Sequence, residues 1–466
     1  MSKKNKLRII FNLFGGLCFF ILIILPEITQ GFDLENIKTL TLSKTQRIAL
    51  EDNPTIIAAE ARLDKAKQIL KKALSSYFPR IDLLASAARV NMSDNSYNNA
   101  LNTARAFNPL ATVENPEEYY NAGIRASWIL FNGFERKYER AKALYGKKAG
   151  DAALADAKRV LLFSVALNFY AAQLALENIA IANADEAFYD RLVKEAELRH
   201  KAGTGSLSDI LNFRISVNSA KSTKIGAKQD FDAILSSLGA LINITDYDIL
   251  SKISISPLEK DEKADFKLSK LQSQIDYAMT HRPDIRQMES AILAAGSAVK
   301  KARSGYYPTV VFSAHMDGER AGDERFERDD FGDTVALNLS YNLFAGGLTR
   351  AKIGEAKSIM KETRENLKIL KLSIISDVRT AYTGLKAAKN LLALQRINAD
   401  LVQKNRDLIN KEYLAGKGSL LRLNEAQKNL IQAKSRLALA LVSIGRAKYS
   451  LDAATAKNIE TYKLLK

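Results

Sequence analysis

Landmarks recur along this chain at two fixed offsets, which restricts it to a plan built twice. "AEARLDKAKQILKKALSSYFPRI" lies just after Asn53-Pro54, and "MESAILAAGSAVKKARSGYYPTV" lies just after Arg282-Pro283. Pro54 and Pro79 map onto Pro283 and Pro308, a shift of 229. "WILFNG" (128–133) maps onto "YNLFAG" (341–346), and "AGTGSL" (202–207) onto "AGKGSL" (415–420), both with a shift of 213. The drop places 16 extra residues in the first half, between Pro79 and Leu130. A repeat of this kind governs every later assignment.

Each half follows one order. A proline opens a helix at its first position, where a missing N–H costs nothing. Asn53 is a good N-cap for the first; Arg282 is a poor one for the second. Pro79 or Pro308 stops that helix, and two strand-like segments follow. Next come about 70 proline-free residues, 134–202 and 348–415. If helical throughout, each spans roughly 100 Å. After the glycine motif a second long helix returns, 206–242 and 419–455. Ile374, Val378, Ala381, Leu385, Ala388 and Leu392 are spaced 4-3-4-3-4, as are Leu161, Val165, Asn168, Ala172, Ala175 and Ile179. That spacing is a coiled-coil seam, with alanines permitting close approach. The more polar residues 243–267 join the halves.

The strand-like segments, near 80–90, 120–131, 309–316 and 334–344, alternate with period two. Ile81, Leu83, Ala85 and Ala87 form one apolar face; Ala122, Ile124, Ala126, Trp128 and Leu130 form its neighbour. Val310, Phe312, Ala314 and Met316, then Val335, Leu337, Leu339, Tyr341 and Leu343, repeat the phase. One apolar and one wet face suits a half-buried soluble hairpin. It also suits a membrane barrel, which the strand lengths, the aromatics Trp128 and Tyr341 near strand ends, and export favour. Strands in lipid must close into a barrel, and four are too few. A barrel would therefore be shared between chains, two giving eight strands and three giving twelve. Residues 91–118, Asn-rich and irregular, and 317–333, with eight acids and three arginines, read as solvated hairpin loops.

Lys3, Lys4, Lys6 and Arg8 precede an apolar run from Ile9 to Leu25, with small Thr29 and Gly31 before Phe32. Residues 1–31 thus read as a secretory signal peptide, the rival being a retained membrane anchor. The only cysteine, Cys18, lies inside this run, so the exported chain would hold no disulfide or thiolate site. The formal charge of +17 is dispersed among acidic neighbours, which with export argues against nucleic acid as a partner.

Together these features resemble the TolC family of outer-membrane efflux proteins. The likeness covers nearly the whole chain after residue 31. It rests on the duplicated Asn-Pro and Arg-Pro starts, Tyr-Phe-Pro and Tyr-Tyr-Pro, "LFNG" and "LFAG", and the paired glycine motifs. It implies an α+β membrane protein: a homotrimer whose twelve-stranded outer-membrane barrel continues into a long periplasmic α-helical coiled-coil tunnel. Residues 32–242 would form the first repeat, 243–267 an equatorial linker, and 268–466 the second repeat with an equatorial tail. It further implies a periplasmic membrane-fusion adaptor, an inner-membrane pump of the RND or ABC type, and outer-membrane lipid as partners, with no cofactor. Adaptor contact would fall on Gly203, Thr204, Gly205, Ser206 and Leu207, and on Gly416, Lys417, Gly418, Ser419 and Leu420. Asp209 and Tyr413 match members of a polar clamp that closes the tunnel mouth. The clamp's arginine falls on Gly418, and two acidic constriction rings fall on Arg422 and Glu425, of which only Glu425 keeps the sign. A ring of Arg422 would weaken cation preference.

Catalytic chemistry is not legible. His200, His281 and His315 are far apart and lack metal-ligand spacing. "AGKGSL" superficially resembles a phosphate loop, but position 411 holds Lys411 where that loop needs glycine. The expected role is a passive conduit for small molecules or proteins, with no enzymatic activity. A non-channel periplasmic coiled-coil scaffold is the alternative, and it leaves the signal segment and alternating strands unexplained.

Overall fold

The computed structural model describes residues 39–244, 246–259, 268–322 and 324–464. The expected signal peptide, and residues 260–267 of the expected linker, lie outside that range. The first half contains β1 (Thr39–Leu40), α1 (Leu42–Asp52), α2 (Pro54–Ser75), β2 (Arg80–Val90), α3 (Asp94–Phe107), β3 (Glu117–Asn132), α4 (Glu135–Lys201) and α5 (Leu207–Leu241). Then come α6 (Tyr247–Lys252) and β4 (Ser254–Ile255), which pairs in parallel with β1. The second half contains α7 (Leu271–His281), α8 (Pro283–Ala302), β5 (Thr309–Ala321), β6 (Phe331–Ser340), α9 (Leu348–Leu414), α10 (Leu420–Thr455) and α11 (Lys457–Leu464).

Helices α4 and α9 each run 67 residues without a break, about 100 Å of rod. Neither could persist alone at that length without packing; the apolar seam supplies it. On α9, Ile374, Val378 and Leu392 are fully buried, and Leu385 and Ala388 nearly so. They share a cluster with Ala440, Leu441, Val442 and Ile444 of α10. On α4, Leu161, Val165, Ala172 and Ala175 are buried, while Asn168 and Ile179 are half-buried. The Tyr170 ring of α4 lies tight against the α10 backbone. A Cβ added at Gly445 would lie 2.5 Å from the Tyr170 ring.

The two proline-led helices are fastened in parallel ways. Asn53 accepts from Thr55 N at 2.8 Å and donates from Nδ2 to Leu241 O at 2.8 Å, tying α2 to the end of α5. Arg282 makes no cap, matching its poor propensity, but its guanidinium donates to Ala454 O at 3.1 Å near the end of α10. The Asp284 carboxylate holds that buried guanidinium through contacts of 3.1 and 2.6 Å. An unpaired guanidinium would be costly there; the fork of bonds is what permits its burial.

The four long strands form one antiparallel sheet, ordered β2-β3-β5-β6. Register aligns Ile81, Ala126, Ala314 and Val335 in one row and Leu83, Ile124 and Met316 in the next. This apolar face is bare: Ile81 is 70% exposed, Leu83 78%, Leu337 65% and Leu339 70%. The opposite face carries Asp82, Arg125 and His315 in a single row. Both outer strands, β2 and β6, end the sheet with open edges.

Four sequence expectations need correction. Leu130 does not continue the apolar row, because a bulge between Ile129 and Phe131 puts Phe131 opposite Val310. Tyr341 and Leu343 lie past β6, which ends at Ser340 opposite Thr309. The next residue on the partner strand is Pro308, which has no N–H to extend the ladder. Residues 317–333 are not all loop: β5 continues to Ala321 and β6 begins at Phe331, since ladder pairing requires no apolar side chains. Residues 91–118 are not irregular throughout either. They hold the 14-residue α3, whose N-cap Ser93 accepts from Ser96 N, and this helix explains most of the first half's extra length.

The α4–α10 approach gives a test. Gly445→Ala gains helix propensity but drives a methyl into Tyr170, so the thermal midpoint in detergent should fall, by the equivalent of about 1–3 kcal/mol. Combining it with Tyr170→Phe should leave the defect, because the ring remains, whereas Tyr170→Leu should relieve it. Unchanged stability of Gly445→Ala would contradict the close packing.

Candidate functional site at the paired helix turns

The glycine motifs end α4 and α9 in the same way. In the first, Gly203 N donates to His200 O and Thr204 N to Arg199 O, both at 2.9 Å. In the second, Gly416 N donates to Tyr413 O at 3.0 Å and Lys417 N to Glu412 O at 2.9 Å. Both are Schellman motifs, which need a left-handed residue. Gly203 (φ 75°) and Gly416 (φ 72°) supply it, where any other residue costs about 1–2 kcal/mol. The second glycine of each motif serves closeness instead. A Cβ at Gly205 would sit 2.9 Å from His200 N, and one at Gly418 3.0 Å from Tyr413 N. Ser206 and Ser419 then open α5 and α10, accepting from Ser208 N at 3.1 Å and Arg422 N at 3.4 Å.

One core joins the four helices behind these turns. Phe188, Tyr189, Leu192 and Ala196 of α4 meet Ile210, Phe213 and Val217 of α5, Ile409 and Tyr413 of α9, and Leu423 and Ala426 of α10. Phe213 is fully buried and meets the Tyr413 ring edge-on, with centroids 6.1 Å apart. Deeper in the same bundle, Gln427 Nε2 donates to Asp185 Oδ1 at 2.7 Å, across α10 and α4. Burial raises the pKa of the Asp185 carboxyl, against the pull of that hydrogen bond. Burial also pushes the Tyr189 phenol up to about 12, with the Asp185 charge adding to the rise.

The expected site residues therefore divide. Asp209 sits in the first turn of α5 and acts electrostatically on Tyr413. Burial first, then Asp209, raises the Tyr413 phenol, while Arg199 opposes the rise. Thr204, Leu207 and Lys417 are exposed at the turns, and Leu420 stands half-buried at the start of α10. Arg422 and Glu425 are exposed on α10, Arg422 lying 3.6 Å from Glu412. Trp128 and Tyr341 are remote from these turns, beside the strand–helix junction. Trp128 Nε1 donates there to Tyr77 O at 2.9 Å.

Two sets of residues escape the sequence reading. Arg199 places its guanidinium 5.3 Å from the Tyr413 ring centroid. Its only sequence signal is a cation in the last turn before Gly203. At the strand–helix junction, Phe134 takes the left-handed conformation next to Gly133, as Gly347 does next to Gly346. Its ring packs edge-on against Phe131 at 5.3 Å and Tyr307 at 6.0 Å, contacts that offset the backbone strain.

Long paired helices that end in tight turns, beneath a sheet with one bare apolar face, define the class of outer-membrane channel proteins. Residues 46–243 and 275–457 match the outer membrane efflux protein family, and the chain belongs to it, the family of TolC. The chain is 19% identical over 453 residues to the outer membrane protein TolC of Salmonella enteritidis, covering 93% of this chain and 87% of that one. It is 24% identical over 414 residues to the pyoverdine export outer membrane protein OpmQ of Pseudomonas aeruginosa, covering 85% and 82%. Its fold is similar to that of VceC, an outer membrane protein of Vibrio cholerae, with a TM-score of 0.73 at 16% identity over 89% of this chain and 95% of that one. The protein's place is the outer membrane.

Tyr189 yields a pH prediction. Its raised value means the neutral phenol favours the folded state fully below pH 10, a contribution lost as pH climbs toward about 12. Thermal midpoints should fall over that window, and Tyr189→Phe should fall less. An identical decline in both proteins would remove Tyr189 as the cause.

Proposed function

We propose that this chain is the outer-membrane component of a tripartite efflux pump or type I secretion system, a passive homotrimeric conduit for small molecules or proteins. The bare apolar face of the sheet, bounded by two open edges, carries this reading. Lipid satisfies the face but cannot pair the edges, so the strands of one chain must meet those of another. Three chains bring twelve strands, with the row of Asp82, Arg125 and His315 turned to the lumen. The two repeats of each chain, 32–242 and 268–466, alternate around the ring, and the long helices continue it as a tunnel.

The six glycine turns of a trimer form the periplasmic rim, where a membrane-fusion adaptor docks. An inner-membrane pump of the RND or ABC type supplies the energy, and the chain itself is not an enzyme. Asp209, Tyr413, Arg422 and Glu425 lie at or near this rim and form its constriction.

Purified protein in planar lipid bilayers should give discrete single-channel currents. A verified trimer that conducts nothing would sink the conduit reading. Arg422→Asp should raise cation preference in reversal-potential measurements, since a lumen-facing cation repels cations. An unchanged preference would remove Arg422 from the constriction.

A further inference from the structure

Near the middle of the long rods, α4, α9 and α10 enclose a cavity of about 590 Å³. Arg159 of α4 and Arg282 at the head of α8 stand where α10 ends, Asp377 of α9 stands beside them, and Ser443 and Ser450 of α10 line the wall. Small residues keep the space open: a Cβ at Gly384 would meet nothing within 4 Å.

Its polar groups are under-used. Arg159 donates from Nε to Asp156 at 2.7 Å and from Nη1 to Ala453 O at 2.9 Å, while Nη2 makes no hydrogen bond among the described residues. Helical serines and threonines commonly donate to the carbonyl one turn back, as Ser164 and Thr383 do here. The hydroxyls of Ser443 and Ser450 make no hydrogen bond among the described residues. Asp377 is exposed, and its one ion pair among those residues, to Arg282, is a long 3.7 Å, because Asp284 already holds that guanidinium. Donors therefore stand free on α4 and α10, and a carboxylate stands free on α9.

The cavity lies on one side of the helix layer. Asp377, Gly384 and Ala388 share a face of α9. Across that helix, Ile375 and Tyr382 pack against the core that holds Ile275 and Ala278 of α7. In a conduit α7 must stand outside, or it would fill the lumen, so the cavity opens inward.

We propose that this cavity is a resting site in the tunnel wall for zwitterions of the amino-acid and short-peptide class. Arg159 Nη2 and the hydroxyls of Ser443 and Ser450 take the carboxylate, and Asp377 takes the ammonium. The proposal rests on the reading of the chain as a conduit. A fixed cation beside a fixed anion disfavours ligands of a single charge, since Asp377 repels a plain anion and Arg159 a plain cation. The volume suits a dipeptide, with Phe163 and Ala447 supplying apolar wall for its side chains.

Saturation-transfer NMR titrations of the purified protein in detergent test this with three probes: leucyl-leucine, N-acetyl-leucyl-leucine and leucyl-leucine amide. Wild-type protein should bind leucyl-leucine, and losing either terminal charge should weaken binding about tenfold, the effect of one charge-assisted hydrogen bond. Asp377→Asn should weaken leucyl-leucine by a similar factor yet leave N-acetyl-leucyl-leucine unchanged. Ser443→Ala with Ser450→Ala should weaken leucyl-leucine and leave the amide unchanged, without disturbing the bonds by which Arg159 holds the end of α10. No binding of leucyl-leucine, equal affinity for all three probes, or an Asp377→Asn protein that still prefers a free ammonium overturns the site. In planar bilayers, leucyl-leucine should reduce the wild-type current more than that of Asp377→Asn, and equal block overturns the site as well. If the wild-type protein conducts nothing, the conduit reading fails, and the titrations alone judge the cavity.

Discussion

An unpaired backbone group in hydrocarbon costs several kcal/mol, and this constraint organises the rest of the molecule. The sheet β2-β3-β5-β6 presents one face of exposed aliphatic side chains, which is stable only against apolar surroundings. Its two edges are then the unsolved part of the chain. A soluble protein would blunt such edges with charge, proline or a covering helix. Here the strands keep alternating apolar residues up to the edge: Ile81 and Leu83 on β2, Val335, Leu337 and Leu339 on β6. Such edges fit the proposed continuation of the sheet by another copy of the chain.

The helices below solve a related problem by different means. A 67-residue helix has no core of its own, so α4 and α9 take their stability from seams. Alanine and glycine on these seams trade side-chain burial for close approach, as at Gly445 against Tyr170. The turns then reverse the chain while giving helix-end groups new partners. A left-handed glycine, two Schellman bonds and a serine cap accomplish this in six residues, twice.

Patterns fixed by short-range chemistry were legible in the sequence. Period two placed Ile81, Ala126, Phe312 and Leu337 on one face, and Asn53 announced its own cap. What was hidden depended on partners distant in the chain. Pro308 ends β6 only because it stands opposite Tyr341, a fact of register rather than of β6's own composition. The bulge at Leu130 lengthens β3 relative to β5 without any proline or glycine to mark it. The helix α3 hides among asparagines, poor helix formers that Ser93 and the amphipathic order of Tyr97, Leu101 and Ala104 override.

The turns show the same division within one site. Each glycine motif is local, so its geometry follows from six residues. The cation that completes the site is not: Arg199 and Leu414 are 215 positions apart. Reading position 418 against its relatives suggests a lost interaction, because the arginine expected there is a glycine. In space the electrostatic requirement is still met, from another helix. A buried tyrosine ring and a bare helix C-terminus both attract positive charge, and either α4 or the second turn is near enough to supply it. With glycine at 418, packed 3.0 Å from the Tyr413 backbone nitrogen, it is α4 that supplies it, through Arg199.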